Sequence, residues 1–411
     1  MRITHISIIH RPFDSRIFAK QCTALAAAGH DVRLVVGGPP EEEVDGVRFH
    51  AIASDPGRPP ARRQFSRFLR ASVWAFRLRP SAFHLHDPHL IPLGLLLKLA
   101  GSRVVYDVHE HYPAHARTKL ARHPVRGWLK ACMWGVLEWG AVRTLDRFVC
   151  TSPAVAARFP RSRTIVVRNF PLDASFARAS ANGVYRPYGE RPNTLVFHGV
   201  MAYVRGISDA MRAIELVPAE LDCRLRLIGS FREPELARRA ALAERIDFIP
   251  WQPFSEVLRE LLAARAGLAL FHRQPNHMDA IRSNKLFEYM AAGIPVIASD
   301  FPTWREIVVG TGCGLTVDPS DHAAIAAAIE HLLTHPEEAE AMGERGRAAV
   351  RERFNWDGEA ARLLSLYRDL QDGHRSRSNG LPAGIRPHAP PPMPGPHAPS
   401  AGSARGAPEH R

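Results

Sequence analysis

The spacing of apolar and polar positions switches between two periods along most of the chain. Short apolar runs at Ile3–Ile9 and Val32–Val36 bracket Ile17–Ala28, whose apolar residues recur at helical spacing and stop at Gly29. That is a strand–helix–strand unit. Two further runs, Phe83–Leu85 and Val104–Val108, turn abruptly polar where a strand would end, and Phe148–Thr151 and Thr164–Val167 read as strands too. Periodicity lapses over Pro171–Pro192 and a second series begins. Its strands are Thr194–Gly199, Arg224–Ile228, Ile246–Ile249, Gly267–Phe271, Pro295–Ala298 and Gly314–Val317, with helices between them at Gly206–Leu216, Pro234–Leu242, Ser255–Ala264 and His322–Leu333. Alternation of this kind predicts an α/β fold of two doubly wound, Rossmann-like parallel-sheet domains facing across a cleft. The expected divisions are an N-terminal domain 1–170, a linker 171–192, a C-terminal domain 193–353, a closing helix 354–372 and a tail 373–411.

Composition narrows the class. The chain has 411 residues, 45% hydrophobic and 23% charged, which suits a globular protein with a sizeable core. Five scattered cysteines with no Cys-x-x-Cys pair read as small buried residues in a reducing compartment, not as a disulfide frame or zinc site. No apolar run is long enough for a membrane span, and His10, Arg11 and Asp14 interrupt the first strand too soon for a signal peptide. A cytoplasmic protein is expected. The net charge of +13 calls for an anionic partner. Nucleic acid is the weakest choice, because no aromatic stacking platform or recognition helix is legible. The tail carries five arginines against one acid and no aromatic residue, and is expected to be disordered.

Two segments are amphipathic in a way that bears on location. Trp128–Val142 is almost wholly apolar, too short to cross a bilayer, and reads as a buried or interfacial helix. Arg58–Arg79 holds seven arginines and no acid. As a helix it places Phe65, Phe68, Leu69, Val73 and Phe76 on one face, expected in the core. Arg63, Arg67, Arg70 and Arg77, with Trp74 among them, take the other face, expected to meet anionic lipid headgroups at the inner side of the cytoplasmic membrane.

The chemistry gathers around Ser283–Asp300. Ser283 or Asn284 can cap a helix in which Leu286, Tyr289 and Met290 share a face, Gly293 ends it, and Val296–Ala298 follows as a buried strand. Lys285 joins the free N–H groups at the helix start, a ready anion site, and Glu288 lies one turn in. The run Asn284-Lys-Leu-Phe-Glu-Tyr-Met-Ala-Ala-Gly-Ile-Pro-Val-Ile-Ala-Ser299 resembles the donor-site signature of family 4 glycosyltransferases of polysaccharide-assembly type, which have the GT-B fold. The loop His10–Phe18, with Asp14 and Arg16, followed by Leu-Ala-Ala-Ala-Gly-His-Asp-Val, is similar to one branch of that family, although it lacks the two glycines many members carry.

The resemblance implies a retaining transferase that moves a sugar from a nucleotide-activated donor to a hydroxyl, holds the diphosphate with protein cations, and needs no metal or other cofactor. No Asp-x-Asp motif follows a strand here. Acceptors in the family are saccharides and often lipid-linked. The resemblance implies donor-site roles for Gly199, Arg205, Ser283, Asn284, Lys285, Leu286 and Glu288, a place under the donor sugar for His109, and a final helix Trp356–Leu370 crossing back to the N-terminal domain. Asp14, Arg16, His86, Asp87 and Glu110 are expected on the cleft loops. Two departures stand out. Val200 replaces the first cation of the Gly199–Gly206 loop, which Lys285 can supply instead. The first of the family's two glutamates falls at Ala280, beside Asp279. Alternatives stay open: metal ligation by His84/His86 and His109/His111, histidines that merely cap strand ends, a nucleotide-sugar epimerase of the same fold, and an inactive or polyanion-binding relative.

Overall fold

The computed structural model describes residues 1–38, 42–53, 57, 59–121, 123–179, 187–274, 277 and 283–378, the last six by backbone alone. Eight strands build the first sheet: β1 Arg2–Ile6, β2 Asp31–Val36, β3 Glu43–Val44, β4 Val47–Ala51, β5 Ala82–Leu85, β6 Val104–Val108, β7 Arg147–Cys150 and β8 Thr164–Val166. Their order is β3-β4-β2-β1-β5-β6-β7-β8, with only β3 antiparallel. Six more, β9 Thr194–Met201, β10 Arg224–Phe231, β11 Ile246–Pro250, β12 Ala266–Ala269, β13 Val296–Ser299 and β14 Gly314–Val317, form an all-parallel sheet ordered β11-β10-β9-β12-β13-β14. In each sheet the order reverses at the first strand, β1 or β9, which is where open α/β sheets place ligands.

Handedness sets the layers. The crossovers β4→β5, β5→β6 and β6→β7 all step the same way, so right-handed connections put the helices Pro60–Leu78, Ile91–Leu99 and Pro124–Thr144 on one face of the first sheet. Ala71, Ala75, Ile91, Leu93, Leu97, Ala141 and Leu145 share one core there with Leu85, Tyr106 and Phe148. The opposite face is covered by Ile17, Phe18, Cys22 and Leu25 and by the closing helix Trp356–Ser378, whose Trp356, Leu363, Leu366 and Tyr367 are buried against Ile3, Leu34 and Val105. The chain therefore does return to the first domain. Its last helix runs to Ser378, past the expected end at Leu370; the rest of the tail lies outside the described residues. Phe170 packs edge-on to Phe287 and Phe354, which are tilted against each other, at centroid distances of 4.8–5.5 Å, tying the linker start and the helix entry to the Asn284–Ala292 helix.

Three expectations need correcting. The β3–β4 hairpin was not foreseen, although Val47-Arg48-Phe49-His50-Ala51 alternates apolar and polar residues as a strand does. Within the expected linker, Asp173–Ala179 is helical and Phe176 is buried, while 180–186 lie outside the described residues. The third concerns the Pro60–Leu78 helix, which is turned largely the other way round, although Phe68 packs against the core and Arg77 is exposed as expected. Arg67 Nη1 donates to Ile8 O at 3.1 Å, Arg70 Nη1 donates to Ala53 O, and Trp74 Nε1 donates to Ala51 O at 3.3 Å, with its ring 4.6 Å from His50. Phe65, Leu69, Val73 and Phe76 point outward, 48–63% exposed. A guanidinium can bond the carbonyls at strand ends that a phenyl ring cannot, so the cationic face packs inward while Ala71 and Ala75 fill the contact beneath. Among the described residues, no helix is long and apolar enough to cross a membrane.

Candidate functional site

A cavity of about 1110 Å³ opens between the two sheets. From the first domain come Glu110 and the helix Tyr112–Lys119 with the turn to His123; from the second come Val204, Arg205, Arg232, Phe271, Gln274, His277, Trp304 and the helix start Ser283-Asn284-Lys285.

The donor-side wall follows from local chemistry. Gly199 and Gly206 both have left-handed backbone, φ 104° and 67°, and a Cβ on Gly206 would fall 2.0 Å from Leu270 O. The loop between them presses against β12 and carries Arg205, whose Nη1 donates to Val200 O at 3.2 Å. Lys285 reaches back across this loop: its Nζ lies 3.3 Å from where a Gly199 Cβ would stand, above the Phe197 and Phe271 rings at 5.0 and 5.6 Å. Burial pushes its pKa down to about 7, Arg205 adds to the fall and Glu288 opposes it.

Ser283 is the N-cap residue of the Asn284–Ala292 helix, yet its side chain makes no cap bond and its buried Oγ has no partner. Glu288 is buried one turn deeper and does not line the cavity; Leu286 is fully buried in the core. Glu288 Oε2 stands 3.1 Å from His198 Nε2, close enough to pair charges but misaligned for a hydrogen bond, so both atoms remain unsatisfied. Burial would raise the Glu288 pKa, but His198, Lys20 and Lys285 hold it below the usual value. Lys20 comes from the first domain, bonded to Asn169 Oδ1 at 2.7 Å, with its pKa lowered to about 8 by burial. Asp279 and Ala280 lie outside the described residues.

On the first-domain side only Glu110 of the expected cleft residues lines the cavity. The others hold the loops. Asp14 Oδ1 accepts from Arg16 N and Ile17 N, starting a wide first turn in which Ala19 N bonds Asp14 O, five residues back. Arg16 grips Asp107 with both arms of its guanidinium, Nε to Oδ2 at 3.0 Å and Nη2 to Oδ1 at 2.8 Å, and Gln21 adds a third bond. Despite burial that would raise it, Arg16 then holds the Asp107 carboxyl well below its ordinary range. Asp87 Oδ2 accepts from Ser7 Oγ and Ile8 N, and Oδ1 faces His10 Nδ1 at 3.2 Å. His86 is wholly buried. His109 is less enclosed, its Nε2 3.4 Å from Asp107 Oδ2 and its ring 4.9 Å from His10.

Among the described residues, two groups lie close enough to share a metal ion: His5, His84 and His86, and His86, Asp107 and His109. In the second, Arg16 already engages both Asp107 oxygens. In the first, the register His5↔His84 stacks the rings, and burial lowers all three pKa values. His5 Nδ1 pairs with His86 Nε2 at 2.9 Å and His84 Nδ1 with Tyr367 OH of the closing helix at 2.8 Å, while His5 Nε2 and His84 Nε2 are buried without a hydrogen-bond partner.

Residues 192–335 match a family model described as glycosyl transferases group 1, and 15–170 match one described as glycosyltransferase family 4. The chain belongs to glycosyltransferase family 4. The enzyme is 26% identical to a glycogen synthase of Mycobacterium tuberculosis over 88% of this chain and 92% of that one. It is 29% identical to a GDP-mannose-dependent phosphatidylinositol monomannoside mannosyltransferase of the same organism over 67% and 73%. A sucrose-phosphate synthase from Thermosynechococcus elongatus superposes with a TM-score of 0.71 at 22% identity, covering 90% of this chain and 99% of that one. This glycosyltransferase has the GT-B fold, and nothing among these relatives supports the epimerase reading. Sequence reasoning missed His198, Lys20, Arg232 and the Tyr112–His123 wall. His198 carried a signal, since it is the polar residue that follows the apolar run Leu195–Phe197 of β9, as His86 follows β5.

Proposed function

We propose that the enzyme moves a glycosyl group from a nucleoside-diphosphate sugar to a hydroxyl, with retention, in the assembly of a cell-surface polysaccharide or glycoconjugate. The observation that carries this reading is the convergence of Arg205, Lys285 and the unsatisfied start of the Asn284–Ala292 helix on one wall of the cavity. Cleaving the donor leaves a diphosphate with extra negative charge, and fixed cations aimed at it in a water-poor site stabilise that charge as it develops. A metal ion would do the same, and these groups make one unnecessary. Glu288 and His198, whose unsatisfied atoms lie behind the cavity lining, are assigned to ribose or sugar hydroxyls of a donor that reaches past it, His109 is assigned to the underside of the donor sugar, and the acceptor enters past Glu110 and the Tyr112–His123 wall. The GDP-mannose dependence and phosphatidylinositol acceptor in one relative's name support a nucleotide-sugar donor and admit a lipid-linked acceptor. A thermal-shift panel of nucleotide sugars tests the donor: a ligand at 100 times its Kd adds about 2.7 kcal/mol of stability. Product anomer analysis by NMR then tests retention. No stabilisation by any nucleotide sugar would defeat the proposal.

A further inference from the structure

The helical layer on the outer side of the first domain carries an apolar surface that no core residue covers. The Pro60–Leu78 helix exposes Phe65, Leu69, Val73 and Phe76. Beside it, the Ile91–Leu99 helix exposes Leu96 and Leu99. The Pro124–Thr144 helix exposes Val125, Trp128, Leu129, Met133, Val136 and Trp139, at i, i+3, i+4, i+8, i+11 and i+14, one continuous stripe. Its inward face is Gly127, Ala131, Trp134, Glu138 and Ala141. Twelve of the 21 exposed large hydrophobics of the described residues therefore sit on three helices that share one face of one sheet. Soluble monomers do not gather apolar side chains in this way without a partner.

Charge selects the partner. The only acid on the three helices is Glu138, which is buried and paired with Arg158. Arg62, Arg77, Arg126, Lys130 and Arg143 are exposed on or beside the stripes, and the Arg143 guanidinium lies 3.6 Å over the Trp139 ring. A two-fold contact with a second copy would set cations against cations. Apolar stripes with two tryptophans, bordered by cations and free of exposed acids, fit the acyl–headgroup boundary of an anionic bilayer. We propose that this three-helix layer docks the enzyme on an anionic membrane surface, with the apolar stripes inserted and the arginines at the headgroups. The Pro124–Thr144 helix begins one residue beyond His123, which lines the cavity. Docking would therefore place the acceptor wall at the lipid surface, a consequence that rests on the transfer reading above and points to a lipid-borne acceptor.

The experiment is vesicle co-sedimentation of the full chain with phosphatidylcholine alone and with phosphatidylcholine–phosphatidylglycerol, at low and high salt. Three forms are compared: native, Trp128→Ser/Leu129→Ser/Trp139→Ser, and Arg126→Gln/Lys130→Gln/Arg143→Gln. All six positions are exposed, so both variants should fold, as circular dichroism and the donor thermal shift would verify. Native protein should bind anionic vesicles, with its tryptophan emission shifted to the blue, and each variant should bind at least about tenfold more weakly while its donor response is unchanged. No vesicle binding by native protein, equal binding by the serine variant, or a native dimer that the serine variant dissociates would overturn the proposal. Loss of the donor response in native protein would instead strike the transfer reading and leave the docking result standing.

Discussion

Lys285 gives the sharpest test of the donor site. Its ammonium is enclosed by Phe197, Phe271 and the Gly199 loop, and its pKa is down at about 7. A docked diphosphate would place negative charge beside it and favour the protonated form, so donor binding should take up a proton. At pH 8 about nine-tenths of the free enzyme has lost that proton, so uptake should be about 0.9 proton per site, against about 0.1 at pH 6. Over the same interval the apparent donor affinity should fall about tenfold, or ~1.4 kcal/mol. Titration calorimetry with a sugar nucleotide at pH 8, repeated in buffers of different ionisation enthalpy, reads the uptake directly. Lys285→Met should abolish both uptake and pH dependence. Uptake below about 0.2 proton in the native enzyme, or equal uptake in Lys285→Met, would refute the reasoning. The free protein provides a sign check. A folded pKa below the ordinary lysine value of 10.5 means that the fold binds fewer protons than the unfolded chain between pH 7 and about 10.5. Stability of the unliganded enzyme should therefore rise with pH across that window, and Lys20, lowered to about 8, should add to the rise.

Other outcomes follow from the same geometry. Glu288→Gln should cut kcat/KM by at least about tenfold, or ~1.4 kcal/mol, with the fold retained by circular dichroism; a variant keeping more than a tenth of the rate would take Glu288 out of the site. Arg205→Ala should lower kcat as well as donor affinity, because the charge it meets grows in the transition state, and an effect on KM alone would assign it to ground-state binding. Chelators should leave transfer unchanged, whereas stoichiometric zinc lost together with activity would move the chemistry to the His86–Asp107–His109 group. Gly206→Ala, whose Cβ would stand 2.0 Å from Leu270 O, should lower stability by at least about 2 kcal/mol in urea unfolding, since backbone and not a movable side chain is in the way.

Much of the architecture was legible because parallel strands buried on both faces leave near-continuous apolar runs, and glycines mark the turns that end helices. The helix Asn284–Ala292, its stop at Gly293 and strand Val296–Ser299 lie where their residues suggest. The loop ends were harder to read. Asp87, Arg16 and His86 look like cleft residues from spacing alone, because a polar group at a strand end either faces a ligand or anchors the next loop. Which one it does depends on partners far off in sequence: Ser7 and Ile8 for Asp87, Asp107 for Arg16 and His86. Lys20 stayed hidden because what brings it to Glu288 is the meeting of two domains and no local motif, and His198 because its pairing with Glu288 joins β9 to a helix some ninety residues on.

The Pro60–Leu78 helix shows a stricter limit. Periodicity separates Phe65, Leu69, Val73 and Phe76 from Arg67, Arg70 and Trp74, though Phe68 packs inward and Arg77 outward against that division, and it does not say which face turns inward. The usual assignment assumes that burying apolar area outweighs every other term. Here the neighbours are the carbonyls of Ile8, Ala51 and Ala53 at strand and loop ends, which need donors if they are shielded from water. An unsatisfied buried carbonyl costs about 1–3 kcal/mol, comparable to the gain from burying one phenyl ring, so the donors to the part-buried Ile8 and Ala51 carbonyls offset part of what is lost by leaving four apolar side chains outside. Arginine suits that position because its stem packs while its guanidinium bonds. The phenylalanines are then left outside, where only a partner with an apolar interior gives them a favourable place.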